Sequence, residues 1–255
     1  MLEWTDTVTG EARAMTREDL DAELSPSRWV DSLDDELNRY ADLSAKSRAL
    51  AAQDGYLDEV IPYADSVALD LLRPRTDRAA PLLIYVHGGF WQQLSRRESA
   101  FAGAHVLAAG GALAAVGYTL APAASLTQIV AEVRAAVAFL YANAEDYGLD
   151  CSRFVIAGSS AGAHLAAMVI AADGSSDTHD LIHGAVLVSG VYNLQAVIRS
   201  YVNDVAGITE DESVALSPAR WPAACRGPVT VAYGEREPSE FKRESLTYAT
   251  HLNAH

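Results

Sequence analysis

An α/β domain with a mostly parallel sheet flanked by helices is predicted by three features of the chain: short, continuously apolar runs, longer amphipathic segments between them, and glycine-rich turns where several runs end. The runs at 67–72, 82–86, 113–118, 154–157, 185–189 and 229–233 are the expected strands. Most are apolar throughout rather than alternating, which is the pattern of a parallel strand with helices on both faces. Between them, Ile129, Val133, Val137 and Leu140 recur at helical spacing, and 161–172 reads as a small-residue helix able to lie close against a sheet.

Residues 1–55 read as a helical N-terminal flank or lid: Thr16-Arg17-Glu18-Asp19 resembles a capping sequence, and 31–51 is rich in good helix formers. The less regular stretch 194–222 falls where a cap region could lie. With no repeat, low-complexity tract or linker, 1–255 is expected to be a single domain. A chain of 255 residues, half of them apolar, can bury a large core without disulfides or metals. Cys151 and Cys225 lack close spacing and clustered histidines, so they are expected to be buried, reduced thiols, with no metal site.

The formal net charge of −15 disfavours nucleic acid and anionic lipid as partners, because such binding draws on lysine and arginine displacing counterions. No basic leader precedes an apolar segment, and no apolar run approaches the length of a membrane span, so a cytoplasmic location is expected.

Chemistry enters with Gly158-Ser159-Ser160-Ala161-Gly162, a G-x-S-x-G sequence between an expected strand and an expected helix. Such a strand–turn–helix forces the serine into a strained conformation that lifts its hydroxyl above the sheet edge, and the flanking glycines avoid collision. Ser160 is the expected nucleophile, at a helix N-terminus that favours developing negative charge; the alternative is an ordinary glycine-rich turn in which Ser160 merely caps the helix. His87-Gly88-Gly89-Phe90-Trp91 follows the strand 82–86. Its glycines can bring main-chain N–H groups to an oxyanion, so Gly88 and Gly89 are the expected donors, with Ala161, the residue after the nucleophile, as the third. His87 is expected to hold the loop's shape rather than act as base. These motifs together point to an α/β-hydrolase fold.

The chain resembles the kynurenine formamidase (arylformamidase) branch of the α/β-hydrolases. The resemblance lies in His87-Gly88-Gly89-Phe90-Trp91, similar to that branch's H-G-G-x-W, in Ser25-Pro26-Ser27-Arg28-Trp29, Gly117-Tyr118-Thr119-Leu120-Ala121-Pro122 and Ser189-Gly190-Val191-Tyr192-Asn193-Leu194, and in the stretches 158–165 and 234–241. It implies hydrolysis of the formamide of N-formyl-kynurenine to formate and kynurenine, with no cofactor. Phe90 and Trp91 could border a pocket for the aryl amine or could be core. Matched to the family's motif ending in Glu-Phe, Glu237 falls on the acid position of the triad, where relatives usually carry Asp; Glu235 is the competitor.

The resemblance also implies a triad histidine on a loop after one further strand, and that last strand is missing from the given chain. His251 and His255 lie in or at the end of a helical segment expected to run away from Ser160. A base supplied from beyond residue 255 is the expectation, with an inactive relative and an element swapped from another copy as alternatives. Within the same fold, a carboxylesterase or biosynthetic acyl hydrolase is the alternative activity. A binding protein that lost its base is the non-enzymatic one, and a homodimer is left open.

Overall fold

The first fifteen residues depart from the helical expectation. In a computed structural model of the chain, which describes every residue except Thr7, Asp77 and His255, Leu2–Thr5 (β1) and Ala12–Met15 (β2) pair as an antiparallel hairpin. The physical reason lies in the turn: the Asp6 carboxylate accepts the Val8 and Thr9 N–H groups at 2.9 and 3.0 Å, and Gly10 takes φ +75°. A side chain that satisfies turn amides in this way competes with helix formation. Trp4 turns inward while Glu3 and Thr5 face solvent, the period of a strand.

The rest of the flank is helical as expected. Arg17–Glu23 (α1) is capped by Thr16, whose hydroxyl accepts the Asp19 N–H at 3.0 Å. A 3-10 turn at Pro26–Trp29 follows, then Leu33–Gln53 (α2), capped by Ser32.

Beyond the flank the six expected strands appear in order, preceded by one that was not expected. Leu57–Ala64 (β3), Val67–Arg73 (β4), Ala80–Val86 (β5), Ala112–Val116 (β6), Leu149–Ser159 (β7), Ala185–Val188 (β8) and Val229–Ala232 (β9) form one sheet in the order β3-β4-β6-β5-β7-β8-β9. β4 is antiparallel to both β3 and β6, and every other pairing is parallel. β3 escapes a search for apolar runs because it is an edge strand, with Asp58, Val60 and Pro62 turned to solvent. β6, by contrast, is buried at all five positions.

Gly103–Ala108 (α3), Leu126–Ala142 (α4) and Ala161–Ile170 (α5) cover the sheet. Every residue of α5 is buried, and its run of alanines and glycine keeps the helix close to the sheet. The 194–222 region resolves into short turns, Asn203–Ala206 (α6) and Glu210–Ala215 (α7), each under two turns long. Ser239–Ala254 (α8) packs beside β9. Cys151 and Cys225 are unpaired thiols, but half-buried rather than buried.

A buried ionic cluster fastens α8 to the N-terminal hairpin. Arg243 reaches Asp6, Glu240 and Glu244 at 2.8, 2.7 and 2.6 Å, and Arg13 meets Glu240 at 2.9 Å. The second oxygen of Glu244 accepts the Tyr192 and Asn193 N–H groups, both at 2.8 Å, so the loop after β8 is held by the same cluster. Removing one partner of such a set leaves uncompensated buried charge. Arg243→Ala is therefore expected to lower unfolding free energy by about 3–5 kcal/mol, read by urea denaturation; a change under about 1 kcal/mol would mean that the cluster is relaxed by water.

Candidate active site

The sheet's carboxyl edge gathers the chemistry-bearing residues. Ser160 stands between β7 and α5 with φ 55° and ψ −123°, a conformation that L-residues rarely adopt and that the surrounding structure must enforce. Its N–H donates to Val188 O at 2.8 Å and its carbonyl accepts the His164 N–H at 3.1 Å. Steric demand explains the flanking glycines: a Cβ on Gly158 would lie 2.3 Å from Gly162 O, and one on Gly162 would lie 2.1 Å from Val86 O. Although Ser160 occupies the N-cap position, its side chain makes no capping hydrogen bond, so the hydroxyl is not spent on the helix.

The loop after β5 lies directly against this turn. A Cβ on Gly88 would sit 2.8 Å from Ser159 O and 3.2 Å from the Ser160 Cβ. Gly89, at φ +94°, closes a tight turn in which its carbonyl accepts the Gln92 and Gln93 N–H groups at 2.9 and 3.1 Å. Ala161 opens α5, so its N–H has no acceptor within the helix. Gly88 thus abuts Ser160, Ala161 follows it in the chain, and Gly89 borders the same cavity as Ser160. Gly88→Ala would push this loop off the elbow and is expected to lower kcat by about 10²–10³-fold with the fold retained, measured by steady-state hydrolysis beside circular dichroism.

His87 supports the loop. Its ring stacks on Tyr118 at 4.1 Å, and its Nδ1 lies 3.0 Å from Gly88 O. The Tyr118 hydroxyl donates to His87 O at 3.0 Å. Burial pulls the His87 pKa down to about 4, keeping the ring uncharged at neutral pH.

The two aromatic candidates separate. Phe90 lines the cavity in front of Ser160, whereas Trp91 is wholly buried and does not. The indole packs edge-on against His164 at 5.1 Å. Trp91 is core because the residues at 90 and 91 both take positive φ, 48° and 61°, which turns the chain between them.

Glu237 lies in the turn after β9, its N–H donating to Gly234 O at 3.2 Å. One carboxylate oxygen accepts the Ser189 hydroxyl; the other, Oε2, is buried and has no hydrogen-bond partner among the described residues. Ser189 ends β8 at φ 54°. The sequence reading placed it in a resembling stretch but gave it no role; its contact with Glu237 is seen only in the fold. Glu235 is exposed, farther out along the same loop.

Ser160, Gly88, Gly89, Phe90, Ser189 and Glu237 all border one cavity of about 790 Å³. Of the described histidines only His87 borders it. His164 is bound to Leu216 O at 2.7 Å, and His251 to Trp221 O at 2.8 Å. His255 lies outside the described residues.

The outer walls come from elements that the sequence alone did not connect. Tyr40 of α2, Phe101 and Tyr85 of β5 form an edge-to-face series with centroids 5.3 and 5.0 Å apart, and the Tyr85 hydroxyl is 3.1 Å from Ser159 Oγ. Trp29, Val30 and Leu33 of the flank close one side, and Tyr201 and Val202 of the 194–222 region another. The N-terminal segment thus forms part of the cavity wall. Among the described residues no group of acidic, histidine and cysteine side chains could hold a metal ion, and no helix is long and apolar enough to cross a membrane.

Comparison with known proteins places this geometry. Residues 69–220 match the BD-FAE family. The kynurenine formamidase of Danio rerio is 35% identical over 251 residues, covering 92% of this chain and 83% of that enzyme. The kynurenine formamidase of Salmo salar is 32% identical, covering 92% and 82%. A crystal structure of a candidate thioesterase from Silicibacter sp. TM1040 superposes with a TM-score of 0.81 at 23% identity, covering 92% of this chain and 87% of that one; this likeness bears on the fold.

Proposed function

The chain belongs to the kynurenine formamidase family of α/β-hydrolases, and from that premise we propose that it is a serine hydrolase cleaving the formamide of N-formyl-kynurenine to formate and kynurenine. The observation that carries this reading is the shared cavity: the strained Ser160, the Gly88-Gly89 loop in contact with it, and aromatic walls sized for an aryl amine.

In this reading the Ser160 hydroxyl adds to the formyl carbon while a base takes its proton. The oxyanion of the tetrahedral intermediate accepts hydrogen bonds from the Gly88, Gly89 and Ala161 amides. Collapse breaks the C–N bond, and the base returns the proton to the departing aryl nitrogen. Water then attacks the formyl ester of Ser160, releasing formate and restoring the hydroxyl. No cofactor enters any step.

Glu237 is the orienting acid in this reading: one oxygen accepts the Ser189 hydroxyl, and Oε2, without a partner among the described residues, is left to accept from the base. The aryl ring is bordered by Phe90 and by the Tyr40, Phe101 and Tyr85 series. Incubation with N-formyl-kynurenine and absorbance detection of kynurenine is the direct test: release of kynurenine with formate in equal amounts is expected. Cleavage of aryl esters alone would replace this reading with a carboxylesterase.

A further inference from the structure

We propose that Arg236, with Arg28 and Lys242 beside it, forms a carboxylate-recognition subsite at the mouth of the Ser160 cavity and selects substrates bearing an anionic tail. The inference rests on the serine-hydrolase reading and deepens it by naming the substrate's second handle.

A second hollow of about 510 Å³ adjoins the catalytic cavity, and the two share Trp29, Val30, Glu235 and Arg236 in their walls. Arg28 from the N-terminal flank, Arg236 from the acid loop and Lys242 from α8 converge on it. Asp31 and Glu235 line it too, so three cations face two carboxylates in this hollow, whereas the adjoining cavity sets Glu36, Glu98, Glu235 and Glu237 against Arg236 alone, on a chain whose formal charge is −15.

Arg236 is the singular member. Among the described residues it is the only lysine or arginine bordering the catalytic cavity, and it is one residue from Glu237. No salt bridge or side-chain hydrogen bond to any described residue engages it, unlike Arg13, Arg48, Arg134 and Arg243, whose guanidinium groups are tied down. A guanidinium with five donors unspent at the edge of an apolar, aromatic-walled cavity fits a planar carboxylate carried by the substrate. The handle would belong to the departing aryl half, because the formyl half has no atoms left to reach outward. An aryl formamide with an amino-acid tail has that shape.

The subsite contributes to binding and selection rather than to bond breaking, so its signature is in KM. The test compares two pairs that differ by one charge: N-formyl-kynurenine with its decarboxylated analogue, and 3-(3-acetoxyphenyl)propanoate with its carboxamide. The wild-type enzyme is expected to prefer the carboxylate in both pairs by about tenfold in kcat/KM, carried by KM. Added salt should narrow the gap. Arg236→Gln is expected to cut the preference to about twofold, and Lys242→Gln to reduce it less. Arg226→Gln removes the same charge from the exposed loop leading into β9, at the opposite end of the strand from Glu237, and should keep the preference.

A preference that survives Arg236→Gln, or a wild-type enzyme indifferent to the charge, overturns the subsite. If neither formamide is cleaved while the ester pair shows the charge preference, the formamidase reading falls and the subsite stands. If neither class is cleaved, both fall.

Discussion

Ser160→Ala is expected to lower kcat/KM for N-formyl-kynurenine by about 10⁴-fold or more, leaving only what binding and the oxyanion amides provide. The size follows from the hydroxyl's position. It is held at the end of β7 by a backbone conformation that the fold maintains against local preference, and it takes no part in capping α5. Removing one oxygen from a residue already at φ 55° changes neither the glycine contacts at 158 and 162 nor the Val188 bond, so near-native thermal unfolding is expected of the variant. The loss should sit in kcat, with KM little altered. A fluorophosphonate probe should label the wild-type chain and not the variant. Retention of more than a few per cent of the activity would remove Ser160 from the chemistry and, with it, the whole reading of the cavity.

Glu237→Gln carries the second largest expected effect, a fall of about 10³–10⁴ in kcat. The amide can still accept from Ser189, so the loop should keep its place. What changes is the other terminus: Oε2, buried and without a partner among the described residues, becomes an NH₂ that cannot accept the N–H of the proposed base. Geometry and chemistry are separated in this way, because a folded, inactive Gln variant cannot be blamed on a collapsed turn. Glu237→Asp keeps the charge but withdraws it by one methylene, and should retain far more activity than the Gln variant. Glu235→Gln is the discriminating control: its side chain is exposed, and its loss should cost far less. Equal effects at 235 and 237 would show that the acid assignment is wrong.

Local pattern made much of this molecule legible. Continuous apolar runs announce strands buried on both faces, and six of the seven sheet strands were visible on that ground, five of them pairing in parallel and β4 antiparallel. The seventh, β3, has a wet face at the sheet edge, and β1 and β2 are too short and mixed to outweigh the helix formers around them. The turn around Ser160 and the loop beside it were legible for a steric reason: glycines at 88, 158 and 162 stand where two backbones must nearly touch.

Side chains that meet across long separations leave no such mark. Whether Trp91 faced substrate or core depended on two consecutive positive φ values, and composition does not encode them. Ser189 finding Glu237, Asp6 finding Arg243, and Arg28 and Arg236 lining one hollow bring together residues 48 to 237 positions apart. The sequence by itself therefore determined the fold class and marked the serine turn and glycine loop proposed for the chemistry, because each is fixed within a few residues by strand apolarity or backbone crowding. Only the tertiary structure decided which acid is anchored, which aromatic rings line the cavity and where positive charge gathers at its mouth, because those depend on how distant segments pack.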